Sequence, residues 1–254
     1  MVFPGFGGWI NQNIQGNFAD QSKRSENVES NSEPPLEFKY YDRDEVDKQV
    51  QLWIDEDKKH PWVNPPPKVK VTTKKGICHM HTELTIGRIP ESVYLLFANP
   101  LNNQYFQEFD GKNFCKPRKL LRKDGPRRIA EVEKIVSWNF LWFSRTLPIN
   151  LIVEDNQKDL TGSYKKKKVK FMKVFEGRWK VEPLFIDSER LCKQIEPKSR
   201  EEYRKCSGGR GRIASKVTID QYFEPSSPLN LPPFSWFIRR ITIKTNKNLI
   251  NMLK

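Results

Sequence analysis

The sequence predicts an α+β fold, in which a curved antiparallel β-sheet is wrapped around one long carboxy-terminal helix. Three features of the chain predict it. One alternating stretch is followed by two short helical segments, then by a long series of alternating stretches, and finally by an apolar helical stripe. Strands joined by short turns form an antiparallel sheet with one buried face. Because such a sheet twists and curls, a long helix can cover the apolar face from its concave side.

The composition of the chain allows one substantial domain with appendages. Of its 254 residues, 37% are hydrophobic and 12% aromatic, so a sizeable core is possible although 30% are charged. Lys and Arg number 45 against 31 Asp and Glu, which gives a formal net charge of +14. That charge favours an anionic partner such as nucleic acid, a membrane surface or an acidic protein, but it is equally typical of a solvated basic surface.

The cysteines and the amino-terminal residues indicate the cellular compartment. The four cysteines lie far apart without a CxxC pair, which argues against a zinc ribbon. No signal peptide is recognisable at the amino terminus, and no apolar run is long enough to span a bilayer. We therefore expect a soluble intracellular protein, most simply a cytoplasmic one, with reduced thiols.

Two segments precede the main domain. Residues 1–35 form a flexible arm, aromatic at its start and polar towards its end, and the aromatic part either docks on the domain or contacts a membrane or a partner. Residues 36–67 form a helical extension that the prolines at 65–67 end. Asp42 or Asp44 can cap this helix at its amino terminus. Its apolar positions recur at helical spacing: Val46, Val50, Trp53 and Ile54.

The main domain is predicted over residues 68–254, with an insertion near 186–211. Its first long strand alternates, with Met80 and Leu84 on one face, and two short helices follow from Pro90 onward. Alternating stretches between residues 127 and 185, and again after the insertion, predict the remaining strands. Their candidate apolar faces contain Val136, Trp138, Phe140, Trp142, Trp179, Val181, Val217, Ile219 and Phe223.

The chain ends on a predicted amphipathic helix. Its apolar stripe, at spacings of four and three, consists of Phe234, Ile238, Ile241, Thr245, Leu249 and Met252. Four basic residues lie off this stripe: Arg239, Arg240, Lys244 and Lys247. They either meet anionic lipid headgroups, as in interfacial helices, or form an ordinary solvated basic face.

This order of elements resembles the helix-grip fold of the START-like superfamily, which includes lipid-transfer domains, polyketide cyclases and coenzyme Q-binding proteins. The stretches Phe3–Asn13, Phe175–Phe185 and Leu231–Thr245 further resemble an uncharacterised plant family of that superfamily. The family resemblance covers almost the whole chain, and the superfamily resemblance covers residues 69–254. The resemblance implies that a hydrophobic or amphipathic small molecule is held between the sheet and the helix. It identifies no catalytic residues.

A cavity in such a fold would be lined by apolar residues of the sheet and the helix. The predicted ligand-binding residues are Met80, Leu84, Trp138, Phe140, Trp142, Trp179, Val181, Ile219, Phe223, Ile238 and Ile241. The predicted membrane or anion contacts are Arg239, Arg240, Lys244 and Lys247. The expected function is non-catalytic binding or transfer of a lipid or isoprenoid-like molecule, with possible peripheral membrane contact and without a cofactor.

A metal site is considered at two histidines of the first long strand. His79 and His81 lie two residues apart, which puts both on one strand face in a geometry that can chelate a metal. Glu83 continues the face, but nothing else in the sequence completes a ligand set, so no metal site is predicted. The alternation places these histidines opposite Met80 and outside the cavity.

Catalysis finds little support in the sequence. The chain has no Gly-x-Ser-x-Gly elbow and no HExxH motif. Asp220 and Tyr222 are conceivable as an acid and a base, but alternation sets both opposite Ile219, away from the cavity. A cyclase-like enzyme is kept as an alternative function.

A run of basic residues, Lys165–Lys170, has two further interpretations. Such a run can be a nuclear import or nucleic-acid patch, or its lysines can guard an edge strand against pairing. We favour the edge strand. A nucleic-acid-associated or nuclear interaction protein remains the other alternative function, although nucleic acid is the less favoured partner.

Overall fold

The structure, a computed structural model, describes residues 38–98, 118–140, 143–169, 171–240 and 242–243, with 134–140 and 143–148 described by their backbone. Its elements are a 3-10 turn at Phe38–Tyr40, α1 (Arg43–Asp57), β1 (Lys68–Lys74), β2 (Ile77–Ile86), α2 (Pro90–Ala98), β3 (Lys119–Asp124), β4 (Arg127–Phe140), β5 (Phe143–Asn156), β6 (Thr161–Lys168), β7 (Met172–Phe185), α3 (Ser188–Leu191), α4 (Arg200–Cys206) and β8 (Ile213–Pro225). Helical residues 234–240 and 242–243 are termed α5. In these ranges no helix has both the length and the apolar character of a bilayer span.

Neighbouring strands of the sheet are antiparallel throughout the described residues. Within the described residues, eight strands pair in the order β1-β2-β8-β7-β6-β5-β4-β3. The first long strand, β2, therefore lies beside the last, β8, although most of the chain separates them. The predicted α+β class, an antiparallel sheet that grips a carboxy-terminal helix, is confirmed.

Alternation divides the sheet into two faces. Along β2 the even-numbered residues Cys78 to Ile86 are buried, whereas the odd-numbered ones keep partial exposure. Residues directly opposite in antiparallel strands share a face, so the register of β2 with β8 places Met80 beside Gln221 and His81 beside Asp220. We call the face of Met80 the inner face and the face of His81 the outer face.

Helix α5 packs on the inner face, as predicted, but rotated about its axis. Ile238 is buried against Cys78 and Phe223. Phe234, predicted to point inward, is 48% exposed, because the buried stripe passes through Ser235 and Ile238 instead. The rotation turns Arg239 towards the sheet.

Helix α1 is fixed to the start of β8 by buried hydrogen bonds. Asp42 caps the helix by accepting from the backbone N–H of Glu45. The Gln49 side-chain amide donates to the carbonyl of Gly211 at 3.0 Å and accepts from the N–H of Ile213 at 2.9 Å. Trp53 donates its indole N–H to the carbonyl of Ile213 at 3.0 Å. The extension thus packs on the sheet domain through a specific polar contact.

The segment between β7 and β8 forms a small lobe closed by a disulfide. Cys192 at the end of α3 is bonded to Cys206 at the end of α4, and their Cα atoms lie 5.1 Å apart. The expectation of reduced thiols is therefore wrong for this pair, because the two short helices fold back on each other. Cys78 is a free, buried thiol of the core, and Cys115 lies outside the described residues.

The lysine-rich strand β6 is not an edge strand. It pairs with β5 on one side and, over Thr161–Lys165, with β7 on the other, so the edge-strand prediction is wrong. Lys166 Nζ donates to the carbonyl of Met172, and Lys167 Nζ binds the carboxylate of Glu131 at 2.8 Å. Two of these lysines thus already have partners within the chain.

Candidate ligand-binding face

The inner face gathers most of the residues predicted to bind a ligand. One buried cluster contains Met80, Leu84, Trp179 and Val181, with Ile219 packed against it, and a neighbouring cluster contains Phe223 and Ile238. The backbones of Trp138 and Phe140 lie at the far end of β4, opposite Arg145 and Phe143 of β5. Trp142 and Ile241 lie outside the described residues. The structure therefore joins six predicted positions on the inner face, with Ile238 of α5 packed against it, and their contact with a ligand stays a prediction.

Packing varies along this face. Met80, Val217 and Phe223 are at most 1% exposed, so protein atoms fill the space around them. Val153, Tyr164 and Ile219, which face the same side on β5, β6 and β8, keep part of their accessible surface. The middle of the sheet is thus less tightly covered than the region under Ile238.

Tyr164 is the distinctive polar group of this less covered region. Burial raises the pKa of its hydroxyl well above the ordinary value for tyrosine, although the side chain keeps accessible surface. No residue in the described ranges forms a hydrogen bond with this hydroxyl. Tyr164 is thus a polar side chain of the inner face that the surrounding residues leave partly uncovered.

Two glycines make room for the aromatic side chains of the inner face at this point, which we call the wall. The ring of Tyr164 lies over Gly177, where a Cβ would come within 2.7 Å of the Tyr164 hydroxyl oxygen. In the same way the indole of Trp179 covers Gly162, where a Cβ would overlap the ring. Tyr164 was not among the predicted site residues, because the neighbouring lysines dominate the local sequence. The signal that could have found it is the pairing of an aromatic residue with a glycine across two strands.

Helix α2 closes one side of the wall through ring contacts. The ring of Phe97 stacks on the indole of Trp179 at 5.0 Å, and the ring of Tyr94 lies 5.3 Å from it. Such aromatic pairs add to the stabilisation that burial provides. The position of α2 therefore sets the position of Trp179 in the wall.

A buried ionic network anchors α2 to the sheet. Asp155 of β5 accepts hydrogen bonds from Arg128 Nε at 3.0 Å and from the Tyr94 hydroxyl at 2.8 Å, and it pairs with Arg118 at 3.3 Å. Arg118 also donates to the carbonyl of Ala98, the last residue of α2, at 2.8 Å. All four side chains are at least nine-tenths buried. Burial, followed by the nearby Asp155 carboxylate, raises the pKa of Tyr94.

This network was not found in the sequence. Arg128 and Asp155 face each other across β4 and β5 at inward-facing positions, where alternation favours apolar residues. A charged residue at an inward position is the signal that could have revealed it.

The residues predicted to contact an anion lie in different environments. Arg239 is half-buried and donates from Nη2 to the carbonyl of Gly76 at 3.0 Å. It thus ties α5 to the β1–β2 turn, and its contact with an anion or a lipid headgroup stays a prediction. Arg240 is exposed, and Lys244 and Lys247 lie outside the described residues.

The outer face carries a second polar cluster, centred on Asp220. Its Oδ1 lies 2.8 Å from His79 Nε2 and 2.9 Å from His81 Nδ1, while its Oδ2 accepts from Arg178 Nε at 3.3 Å. Burial alone would raise the pKa of Asp220, but hydrogen bonds from His81 and His79, and from Arg178, hold it below the ordinary value. As predicted, the histidines face away from Met80. Asp220 was not predicted as their neighbour, since the register between β2 and β8 is a long-range property.

Comparisons with solved structures find distant similarities. TTHA0849 from Thermus thermophilus matches with a TM-score of 0.41 and 12% identity, over 69% of this chain and 90% of that one. The Zhui aromatase/cyclase from Streptomyces sp. R1128 matches with a TM-score of 0.36 and 9% identity, over 59% and 70%. The conserved protein of unknown function EF2215 from Enterococcus faecalis matches with a TM-score of 0.34 and 8% identity, over 82% and 81%.

Sequence comparisons give one family. No curated protein matches the chain. A family model matches residues 68–254, which is most of the chain and includes every strand described above. The chain therefore belongs to the family described as Domain of unknown function DUF220.

Proposed function

We propose that this protein binds, without transforming it, an apolar small molecule that carries a hydrogen-bond acceptor, between the inner face and helix α5. The observation that carries the proposal is Tyr164, a partly accessible side chain that packs against an apolar cluster of the inner face and whose hydroxyl has no hydrogen-bond partner among the described residues. A lipid or isoprenoid-like molecule with one oxygen function fits that chemistry. Ligand sites are commonly apolar clefts with a few polar groups that fix orientation.

The energetics assign different roles to the wall and to the hydroxyl. Each 100 Å² of apolar ligand surface removed from water contributes about 2.5 kcal/mol. A single hydrogen bond contributes about 0.5–1.5 kcal/mol. Apolar burial therefore sets the affinity, and Tyr164 selects ligands that have an acceptor oxygen and orients them.

A binding role is favoured over acid–base catalysis by the position of the titratable groups. Asp220 and Tyr222 belong to the outer face, as the alternation predicted. Asp155 faces inward, but its oxygens are held by Arg118, Arg128 and Tyr94. A general base must reach the proton that it abstracts, and the oxygens of Asp155 are already engaged within the chain.

Substitutions on the two faces of β5 test the apolar wall. Val153→Phe adds bulk beside Tyr164 and is expected to abolish the fluorescence enhancement of an apolar probe such as cis-parinaric acid. The matched control is Ile152→Phe, the adjacent residue on the outer face of the same strand, which should bind the probe like the wild type. Tyr164→Phe should weaken only ligands with an acceptor oxygen, by about 2- to 10-fold. Equal binding by all variants would exclude the inner face as the site.

The start of α5 supports a second element of the proposal, that the protein delivers its ligand at an anionic membrane surface. Leu231, Phe234 and Trp236 are 58%, 48% and 65% exposed, and Arg240 is exposed one turn after Trp236. Exposed aromatic residues next to basic ones are typical of segments that lie in the membrane interface. The net charge of +14 complements anionic lipid.

Membrane contact is tested by sedimentation with vesicles. The wild type is expected to sediment with phosphatidylserine-containing vesicles and not with neutral phosphatidylcholine vesicles. Trp236→Ala should weaken this binding roughly tenfold, because a large apolar side chain no longer enters the interface. The control is Ile195→Ala, which removes an apolar residue of similar exposure (58%) from the disulfide-closed lobe. An effect of Ile195→Ala as large as that of Trp236→Ala would contradict the assignment.

A further inference from the structure

The outer-face cluster of His79, His81 and Asp220 has the composition of a metal centre, and we propose that it binds a divalent first-row transition metal such as Zn²⁺. The cluster lies on the opposite side of the sheet from the ligand-binding face, so the two sites are independent of each other. Two imidazole nitrogens and one carboxylate oxygen form a ligand set that suits Zn²⁺, Fe²⁺, Co²⁺ or Ni²⁺ better than Mg²⁺ or Ca²⁺, which prefer oxygen alone.

The strand register brings the three ligands together. His79 and His81 lie two apart on β2 and so project from one face. Asp220 of β8 is the direct cross-strand partner of His81. The ligand atoms, one from each residue, all lie within 4.8 Å of one another. Because two hydrogen-bonded strands of an eight-stranded sheet hold them, their backbones are fixed before an ion arrives.

The distances require only a small adjustment for an ion. Asp220 Oδ1 is now 2.8 Å from His79 Nε2 and 2.9 Å from His81 Nδ1. Tetrahedral Zn²⁺ with bonds of about 2.1 Å holds its ligand atoms roughly 3.4 Å apart. Asp220 Oδ1 therefore needs to move about half an ångström away from each of the two imidazole nitrogens, which rotation about side-chain bonds provides.

Each ligand is also held from its far side. His81 directs its second ring nitrogen, Nε2, towards Glu83 Oε1 at 3.7 Å. The ring of His79 stacks on Tyr222, with centroids 4.4 Å apart and planes inclined by 6°. The second oxygen of Asp220 accepts from Arg178. Contacts of this kind orient metal ligands and are part of a functional metal site.

The cluster is open towards solvent on one side. The side chains of His79 and His81 are about one-third exposed, and that of Asp220 is 13% exposed. Three protein ligands with an open position are characteristic of zinc sites that also bind water or a substrate, whereas structural zinc sites are closed by four protein ligands. The proposed centre therefore belongs to the open class.

The chain offers a matched control, because it contains three histidines and the third, His60, lies exposed beyond the end of α1. The full-length protein, stripped with a chelator, is titrated with Zn²⁺ by calorimetry. We expect one equivalent to bind to the wild type and to His60→Ala with the same affinity. His81→Ala and Asp220→Asn should each weaken binding at least tenfold, and Glu83→Gln by about tenfold, as for other residues that orient ligands.

A second measurement on the wild type avoids any effect of substitution on folding. Co²⁺ is added to the chelator-treated protein, and the imidazole NMR signals of the three histidines are followed. The signals of His79 and His81 should shift or broaden with the first equivalent, and that of His60 should not. The proposal is overturned if Zn²⁺ binds the wild type no more tightly than Asp220→Asn, or if Co²⁺ affects His60 as strongly as the other two. The cluster would then be a hydrogen-bonded clamp between β2 and β8.

Discussion

Asp155→Ala is expected to lower the free energy of unfolding by about 3–5 kcal/mol, since it leaves two buried guanidinium groups without their carboxylate. Asp155 accepts from Arg128 at 3.0 Å and pairs with Arg118 at 3.3 Å, and none of the three side chains is more than 6% exposed. Removing one partner from a buried ion pair is among the most destabilising changes in a protein. Chemical denaturation of the two proteins measures the difference.

The adjacent residue provides the control for this prediction. Glu154 pairs with Arg127 at 2.7 Å, but both side chains are exposed, so Glu154→Ala should cost no more than about 1 kcal/mol. Equal losses of unfolding free energy for Asp155→Ala and Glu154→Ala would show that burial does not determine how much the network contributes to stability. Because Tyr94 also binds Asp155, the position of α2 against Trp179 should loosen together with the loss of stability.

Reducing the Cys192–Cys206 disulfide is expected to lower the free energy of unfolding by about 3 kcal/mol. The bond joins residues 14 apart in the chain and closes the lobe between β7 and β8. A crosslink restricts the unfolded chain more than the folded one, and its removal restores that freedom. The measurement is denaturation of the wild type with and without a reductant.

The variant Cys192→Ser isolates the effect of this bond. It should unfold at the same denaturant concentration as the reduced wild type, and reductant should not affect it further. If reductant leaves the stability of the wild type unchanged, the crosslink does not stabilise the lobe. Because reducing compartments keep thiols reduced, the stabilisation is available only where the disulfide persists.

The sequence predicted those properties of the fold that depend on local periodicity. The alternation of β2 placed Met80 and His79 on opposite faces correctly, because successive strand residues always point to opposite sides. The capping role of Asp42 and the packing of Ile238 on the sheet also follow from local patterns. The prediction of an α+β fold combined these local signals with their order along the chain.

Properties that depend on long-range pairing could not be predicted. Whether the lysines of β6 occupy an edge or an interior strand depends on the strand order, which no local pattern contains. The same holds for the disulfide and for the meeting of His81 with Asp220. The inward-facing side of α5 was predicted about one residue away from its observed position. The prediction placed the apolar Phe234 against the sheet, whereas the sheet buries the small Ser235.

The candidate site was predicted in part. The apolar residues of the inner face were named, since an apolar face is also a core face. Its polar member, Tyr164, was missed because the space beside it depends on Gly177 of the next strand. The roles of Trp138, Phe140, Trp142 and Ile241, the arm at residues 1–35, the domain boundaries and the plant origin of the family stay predictions.

Native mass spectrometry of the freshly purified protein tests the central claim most directly. The wild type and Ile152→Phe should each carry an additional mass that organic extraction removes and an added apolar ligand restores, while Val153→Phe should show the mass of the polypeptide alone. The binding account is contradicted if the wild type carries no such mass and takes up no apolar ligand in titration.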